Sequence, residues 1–324
     1  MNRCMETGKP QISILMAVYE PRMDWLREQL LSLDAQTYPN LKLYIRDDCS
    51  PTVSYEGIQS CVQDCIRTFP YEIQRNERNL GSNKTFERLT QDADGDYFAY
   101  CDQDDVWLPE KLETLERQLA AKADADLICS DVVLIDGNGR KFAQSITEAR
   151  PRHVFWEGAN LAPTLIYHNY VIGCTTLIRS GRAKEAIPFA EHMVHDHYLA
   201  FFCALHGAIA VCPEHLVRYR IHGSNQTGVL AHVADHKSYC EKYIMPFCAR
   251  IEELQRRFSL PELGTAAQWA WARQKNARRE PRGMRNLWKL RHVNQSITLF
   301  ELVVLRLPLP LFRAAVHVIQ AGKI

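Results

Sequence analysis

The sequence lacks the patterns that mark disulfide-rich, zinc-binding and exported proteins. Its 11 cysteines are odd in number and irregularly spaced, and no CxxC pair occurs. Such cysteines indicate reduced, mostly buried thiols in a cytosolic protein, and they argue against a disulfide framework or a zinc site. Residues 1–10 contain no apolar segment of the signal-peptide kind, so we expect a protein that is not exported.

Long apolar runs and a strong net charge are also absent. No uninterrupted run reaches the ~18 apolar residues that suggest a membrane span. The nearest, residues 302–319, is broken by Arg306, Pro308, Pro310, Arg313 and His317. The net charge of +1 argues against a protein that coats nucleic acid, so no nucleic-acid partner is expected. The 324 residues are enough for one large α/β domain with an appendage, or for two domains.

Short apolar segments of strand length alternate with helical periodicity in the first half of the chain. The order β-α-β-α-β-α-β predicts an open, mainly parallel sheet. A helix is predicted at residues 195–205, and a hairpin has its turn at residues 136–139. Strands are predicted at residues 12–19, 41–45, 71–73, 97–101, 127–129, 171–178 and 208–212.

The most informative stretch is residues 97–109, where an apolar strand ends in three carboxylates, Asp102, Asp104 and Asp105. Crowded carboxylates repel one another, and a divalent cation or a basic ligand relieves that repulsion by sharing their charge. The alternative is an acidic loop that caps the following helix, because acidic residues are also favoured there. The local sequence alone leaves both interpretations open.

Several polar side chains follow predicted strands and should meet at one edge of the sheet. Tyr19, the pair Asp47 and Asp48, and the acidic stretch all stand at such positions. Ligands of open α/β sheets bind outside the carboxyl ends of the strands. A hard cation in that crevice, Mg²⁺ or Mn²⁺, would take phosphate oxygens as further ligands and would stabilise a departing diphosphate.

Two later segments supply further candidate groups. Asp196 stands at the start of the predicted helix, where a carboxylate acts either as an N-cap or as a general base for an acceptor hydroxyl. Its neighbour His195 is interpreted first as a structural histidine. Arg220 and His222 lie beside a polar loop, and arginine suits recognition of phosphate oxygens.

Taken in order, these motifs resemble bacterial family 2 glycosyltransferases of the GT-A fold, and within them the rhamnosyltransferase-like branch. The similarity covers about residues 11–230. Residues 13–19 are similar to the first strand of that family, and residues 169–174 to the strand beneath its acceptor site. The other matching motifs are Asp47-Asp48-Cys49-Ser50, Asn79-Leu80-Gly81 with Asn83, Asp102-Gln103-Asp104-Asp105-Val106-Trp107, His195-Asp196, and Tyr219-Arg220-x-His222-x-x-Asn225-Gln226.

The resemblance implies a GT-A catalytic domain at residues 1–230, with a nucleotide-binding, Rossmann-like, mostly parallel sheet and flanking helices. A helical, basic C-terminal region follows at residues 231–324. The implied enzyme is an inverting glycosyltransferase that moves a sugar from a nucleotide-diphosphate sugar to a hydroxyl of a glycan acceptor. Its expected role is cell-surface polysaccharide synthesis of the O-antigen or capsule type. dTDP-rhamnose is the first expected donor and a UDP-sugar the second, and the acceptor is expected to be lipid-linked.

The resemblance also implies roles for single residues. Asp196 would be the catalytic base, and Asp104 and His222 would hold Mg²⁺ or Mn²⁺. The nucleotide-sugar contacts would come from Ala17, Tyr19, Asp48, Asn79, Asp102 and Arg220. Two departures affect these expectations: His197-Tyr198 stands where relatives often have tryptophan, and Glu20-Pro21 where many have asparagine.

The C-terminal region carries no catalytic motif. Between Trp271 and His292 it has eight basic residues and one acidic residue. This composition is typical of a surface that lies on a membrane, and equally of a solvated basic helix that closes over the catalytic domain. We therefore expect a cytoplasmic protein with peripheral contact at the inner face of the cytoplasmic membrane.

Two other functions are compatible with parts of this sequence. A non-catalytic sugar-binding or scaffold protein of the same fold would be expected to have lost Asp104 or Asp196, and both are present. A metal-dependent phosphatase of the haloacid-dehalogenase type places its nucleophilic aspartate after the first strand. Here the acidic motif follows about four strands.

Overall fold

The strands of the computed structural model, which describes residues 8–223, 230 and 232–321, belong to one ten-stranded sheet. They are β1 (Ile12–Val18), β2 (Leu41–Asp47), β3 (Tyr71–Arg75), β4 (Tyr97–Cys101), β5 (Val106–Trp107), β6 (Ala125–Ile135), β7 (Lys141–Ala143), β8 (Gly158–Ala159), β9 (Leu177–Arg179) and β10 (Ala208–Arg220). The order is β3-β2-β1-β4-β9-β6-β10-β5, with β7 paired to β6 and β8 to β10.

The central strands run parallel, as the alternating pattern predicted. β1 pairs in parallel with β2 and β4, β2 with β3, and β6 with β10. β9 lies between β4 and β6 and is antiparallel to both. The consecutive residues Ile14, Leu15 and Met16 of β1 are fully buried, because a parallel strand is covered on both faces.

The chain divides into two units. The first comprises Met1–Leu165, Asn169–Phe189 and Val194–Gly223, and the second Ile166–His168, Ala190–Met193 and Ser224–Ile324. The first unit holds the sheet and helices α1 (Met23–Asp34), α2 (Tyr55–Cys65), α3 (Ser82–Asp92), α4 (Lys111–Ala120), α5 (Ile146–Ala149), α6 (Ala162–Leu165), α7 (Ser180–Glu185) and α8 (His195–His206). The predicted domain boundary at residue 230 stays a prediction.

The second unit is helical in its described residues. A π-helical segment, Cys240–Ile244, joins its first two helices. The helices are α9 (His236–Tyr239), α10 (Met245–Arg257), α11 (Pro261–Ala277), α12 (Gly283–Lys289), α13 (Gln295–Val304) and α14 (Leu309–Ala321). Within the described part of the chain, no helix combines the length and the apolar character needed to cross a membrane.

The predicted strand at residues 171–178 is wrong over most of its length. Gly173–Thr175 form a 3-10 turn, and only the short β9 follows it. The hydroxyl of Thr175 donates to the carbonyl of Ile172, and that of Thr176 to the carbonyl of Gly173, both at 2.8 Å. Such local bonds favour a turn over a strand ladder.

The loop predicted at residues 219–226 begins later than expected, because β10 continues to Arg220. Asn225 and Gln226 of the proposed motif lie outside the described residues.

Candidate active site

Three strand ends meet at the carboxyl edge of the parallel strands. Tyr19 follows β1, Asp48 follows β2 and Asp102 follows β4, and β1 pairs with both neighbours. The side chain of Gln103 joins two of these ends, since its oxygen accepts from the backbone N–H of Tyr19 at 2.8 Å. Its nitrogen donates to the carbonyl of Tyr19 at 3.0 Å. The first strand therefore fixes the position of the acidic turn between β4 and β5.

Asp48 is buried and holds the turn that contains Asn79. Its Oδ1 accepts from the backbone N–H of Leu80 and its Oδ2 from that of Gly81, both at 2.8 Å. Gly81 has a φ of +82°, which glycine adopts without strain. Asn79 is exposed on this turn, and Ala17 is half-buried in β1. The nucleotide contacts assigned to these residues stay predictions.

Asp104 and His222 come together from distant parts of the sequence. Nε2 of His222 lies 2.7 Å from Oδ2 of Asp104, and the two side chains are 15% and 20% exposed. The imidazole packs against the indole of Trp25, with ring centroids 4.8 Å apart. A partly exposed carboxylate and imidazole at a strand-end crevice are groups that can ligate a divalent cation.

Asp102 is partly exposed beside this pair, and its environment opposes its ionisation. Burial raises the pKa of Asp102 above its usual range, and the charges of Asp105, Asp104 and Asp196 raise it further. A bound cation would reverse this effect, because positive charge favours the ionised carboxylate. A cation bound at this edge of the sheet would therefore stabilise the charge of Asp102 as well.

A second group of possible ligands lies deeper. Atoms of Asp102, Asp105 and Cys174 lie within 4.8 Å of one another. Asp105 and Cys174 are buried, and burial together with the nearby carboxylates raises the pKa of the Cys174 thiol well above its usual range. A thiol ligates metals as the thiolate, and hard cations prefer oxygen, so Cys174 does not suit such an ion.

Arg220 is buried against the acidic turn and donates hydrogen bonds to it. Its side chain is only 1% exposed. Its backbone N–H donates to Oδ1 of Asp105 at 3.0 Å, and its Nε donates to the carbonyl of Asp104 at 2.7 Å. The guanidinium also bonds the carbonyl of Asp136 and the carboxylate of Glu28. These contacts support a positioning role, while contact between Arg220 and a donor stays a prediction.

The side chain of Lys111 is fully buried beneath the acidic turn. Its Nζ donates to the carbonyl of Cys174 at 2.6 Å and lies over the ring of Trp107. Burial lowers the pKa of Lys111 to about 7, and the acidic groups around it, Asp105 and Asp102 among them, oppose that shift. Lys111 thus joins helix α4 to the turn at residues 173–175.

Asp196 is held at the start of α8 by three donors. Its Oδ1 accepts from the N–H of His197 at 2.6 Å and from Nδ2 of Asn169 at 3.2 Å. Its Oδ2 accepts from the N–H of Gly173 at 3.1 Å. Burial raises the pKa of Asp196 to about 6, and these hydrogen bonds limit the rise. A carboxylate with this pKa is ionised at neutral pH and is a stronger base than an ordinary aspartate.

His195 is a packing residue behind Asp196. It stacks on Phe86 with ring centroids 4.0 Å apart, and burial lowers the pKa of His195 to about 3, so the ring is neutral. A Cβ at Gly173 would stand 3.0 Å from Nε2 of His195 and 3.3 Å from Cβ of Asp196. The absence of a side chain at Gly173 therefore leaves room for His195 and Asp196 against the 3-10 turn.

Sequence reasoning did not identify Trp25, Glu28, Gln103 or Lys111 as supporting residues. Trp25 has the helical spacing of a core residue, which conceals its contact with His222. Lys111 did carry a signal, because it stands four residues before Leu115 on the apolar face of α4. A lysine on such a face indicates a buried side chain whose amino group is paired with polar or charged groups.

Comparison with solved structures shows that this protein has the GT-A glycosyltransferase fold, followed by a helical C-terminal region. It superposes on Staphylococcus aureus TarS 1-349 in complex with UDP-GlcNAc with a TM-score of 0.58 at 15% identity, covering 97% of this chain and 92% of that one. It superposes on the mannosyltransferase PcManGT of Pyrobaculum calidifontis, in complex with GDP-Man and Mn²⁺, with a TM-score of 0.54 at 13% identity. That match covers 97% of this chain and 81% of the other.

Sequence comparison then gives the family. The family model for glycosyl transferase family 2 matches residues 13–183. An uncharacterized glycosyltransferase of Methanocaldococcus jannaschii is 32% identical over 238 residues, or 72% of this chain and 78% of that protein. The dTDP-rhamnosyl transferase RfbG of Shigella flexneri is 26% identical over 223 residues, or 66% and 73% of the two chains. The chain belongs to glycosyltransferase family 2 and is a nucleotide-sugar transferase.

Proposed function

We propose that this enzyme transfers a sugar with inversion from a nucleotide-diphosphate donor to a hydroxyl of a glycan acceptor, with Asp104 and His222 as ligands of Mg²⁺ or Mn²⁺. The observation that carries the proposal is the 2.7 Å approach of Asp104 and His222 at the carboxyl edge of the sheet. Asp102 would complete the protein ligands. The ion would neutralise negative charge on the departing diphosphate.

Asp196 supplies the base in this proposal. The oxygen of the acceptor hydroxyl bonds to the anomeric carbon. As this bond forms, a carboxylate oxygen of Asp196 takes the proton of that hydroxyl. The bond between that carbon and the diphosphate oxygen breaks, and the nucleoside diphosphate leaves with the electron pair. The N–H groups of His197 and Gly173 orient the carboxylate, so little reorganisation precedes proton transfer.

The crevice at the ends of β1, β2 and β4 would bind the nucleotide through Ala17, Tyr19, Asp48, Asn79 and Asp102. The similarity to RfbG supports dTDP-rhamnose as the donor, and that to the TarS complex supports a UDP-sugar. We place Arg220 behind the acidic turn, where it orients the metal ligands.

The acceptor in this proposal is a lipid-linked glycan of cell-surface polysaccharide synthesis. A similarity to the putative teichuronic acid biosynthesis glycosyltransferase TuaG of Bacillus subtilis supports this class of pathway. The enzyme would then work on the cytoplasmic side of the membrane, in peripheral contact through its helical unit.

A panel of nucleotide sugars, with detection of released nucleoside diphosphate, tests the proposal. We expect one donor to be cleaved with Mn²⁺ or Mg²⁺ present and not after chelation with EDTA. Full activity in EDTA would overturn the metal assignment. Release of inorganic phosphate from p-nitrophenyl phosphate, without donor cleavage, would favour a phosphatase. Donor binding without turnover, even with lipid-linked acceptors supplied, would favour a sugar-binding scaffold.

A further inference from the structure

The helical unit carries an excess of exposed apolar side chains. Of the 14 large hydrophobic residues that are exposed in the described part of the chain, nine lie between Met245 and Val318 and five lie before Met245. The longer first unit therefore covers its apolar residues more completely. Exposed apolar clusters of this kind indicate an interaction surface.

Two exposed tryptophans in this unit are each paired with a cation. Trp271 of α11 is 64% exposed, and Nζ of Lys275, one turn later, lies 4.1 Å from the centre of its ring. Trp288 of α12 is 49% exposed, and the guanidinium of Arg291 lies 4.7 Å from the centre of its ring. Met284, one turn before Trp288, is also exposed.

Residues of α11 and α12 line one groove, and Met284 and Trp288 are exposed on the same short helix α12. A groove of about 260 Å³ runs between α11 and α12. Its lining includes Trp271 and Lys275 from α11 with Asn286 and Lys289 from α12. Gly283 permits this arrangement, since a Cβ there would stand 2.7 Å from the carbonyl carbon and oxygen of Lys275. The close approach brings the start of α12 onto the last turns of α11.

We propose that six side chains of α11, α12 and the residues just after α12 dock on an anionic lipid bilayer as one basic-aromatic face: Trp271, Lys275, Met284, Trp288, Lys289 and Arg291. Tryptophan and basic side chains together suit the boundary between headgroups and acyl chains. Arg273 is buried, and the other seven basic residues of 271–292, against one acidic residue, complement an anionic leaflet. The inference deepens the proposed peripheral location, and it holds whichever sugar is transferred.

The composition of the face argues against two other occupants. A second copy of the same face would bring like charges together, which opposes association. Nucleic acid would match the charge, but it offers no apolar environment for Met284 or for Leu299 and Val303, which are exposed one turn apart on α13. A bilayer interface satisfies both the cations and the apolar side chains.

Flotation of the full-length protein with vesicles tests the proposal. The vesicles are equal mixtures of phosphatidylglycerol and phosphatidylcholine, or phosphatidylcholine alone. The variants are Trp271→Ala with Trp288→Ala, and Lys275→Glu with Lys289→Glu. A matched control, Phe142→Ala with Lys141→Glu, removes an exposed aromatic residue and reverses an exposed basic charge on β7 in the other unit.

We expect the wild type to bind to the anionic vesicles only. The lysine variant should bind them about fivefold more weakly for each basic charge removed, and charge reversal should weaken binding further. The tryptophan variant should bind at least about tenfold more weakly, and the control should bind like the wild type. Unchanged binding by both sets of variants would overturn the proposal. So would a dimer in sedimentation equilibrium that the tryptophan variant abolishes, or equally tight binding to single-stranded RNA.

Metal-dependent cleavage of the donor should survive in these variants, because none of the changed residues belongs to the proposed site. A protein that binds the anionic vesicles but does not cleave the donor would instead count against the proposed transferase site. The two proposals can therefore fail separately.

Discussion

Two regions of this protein bury acidic side chains. In one the carboxylate is paired with a cation, and in the other it lies among further carboxylates. In the helical unit, Glu301 is fully buried, and its carboxylate accepts from Nη2 of Arg273 at 2.6 Å and from the hydroxyl of Tyr239 at 2.9 Å. At the sheet edge, Asp105 is equally buried but lies beside further carboxylates. Burial and the charge of Asp104 raise the pKa of Asp105 to about 7.

The difference distinguishes a structural ion pair, at Glu301, from carboxylates that can bind a cation, at the sheet edge. Glu301 is neutralised in place by a cation on the same helical unit, so its charge needs no other partner. Asp102 and Asp105 at the sheet edge keep raised pKa values although Lys111 lies nearby, so a cation bound there would stabilise their charge further. Crowded carboxylates with perturbed pKa values in a crevice are typical of functional sites. If this contrast holds, variants of Asp104 should lose activity rather than stability, and variants of Glu301 should lose stability.

Asp104→Asn should reduce donor cleavage by about 10³-fold or more, because the variant removes the proposed principal ligand of the cation. The free energy of unfolding should stay unchanged or rise, since one repelling charge is lost. Activity is measured as release of nucleoside diphosphate, and stability as unfolding in urea. Loss of activity through unfolding would contradict the contrast drawn here.

Asp196→Asn should reduce transfer by about 10²–10⁴-fold, the range that a general base contributes. In the wild type, kcat/KM should rise about tenfold per pH unit below pH 6 and level off above it. The sign follows from the pKa of about 6, because only the deprotonated carboxylate can accept the proton. Wild-type turnover by Asp196→Asn would eliminate the base assignment, and so would a rate that falls through this pH range.

Glu301→Gln should lower the free energy of unfolding by about 3–5 kcal/mol, because Arg273 is left as a buried, unpaired charge. Equilibrium unfolding in urea measures the change. The requirement for Mn²⁺ should be unaffected in the fraction that remains folded. If this variant were as stable as the wild type, Glu301 would not be a structural charge.

Arg220→Lys should raise the Mn²⁺ concentration that gives half-maximal activity by about 10–100-fold, as is typical when a residue behind metal ligands is changed. Lysine keeps the positive charge. It lacks the planar guanidinium group that donates hydrogen bonds to Asp104, Asp136 and Glu28 at once. At saturating Mn²⁺ the KM for the donor should return close to the wild-type value. An increase in that KM alone would show instead that Arg220 binds the donor.

The strands and their polar ends could be predicted because both depend on local sequence. The apolar run at residues 12–19 has strand length, and the topology of a parallel sheet brings Tyr19, Asp48 and Asp102 to one edge. The approach of Asp104 and His222 followed only from the family resemblance, since nothing local relates residues more than 100 positions apart.

The supporting residues could not be predicted, because tertiary packing decides their roles. Arg220 looked like a phosphate ligand by its chemistry, and only the fold shows its side chain buried against the acidic turn. The 3-10 turn at Gly173 was hidden by a β-branched, apolar stretch that favours a strand. Threonine hydroxyls bonded to nearby carbonyls decided that conformation.

The most direct test of the contrast is Mn²⁺ binding, measured by electron paramagnetic resonance with UDP or TDP present. Asp104→Asn is compared with the wild type and with Asp64→Asn, which removes an exposed carboxylate from α2. We expect the wild type and Asp64→Asn to bind Mn²⁺ alike, and Asp104→Asn to bind it at least about tenfold more weakly. Equal affinity in all three proteins would contradict the claim that the sheet-edge carboxylates keep their charge for a cation.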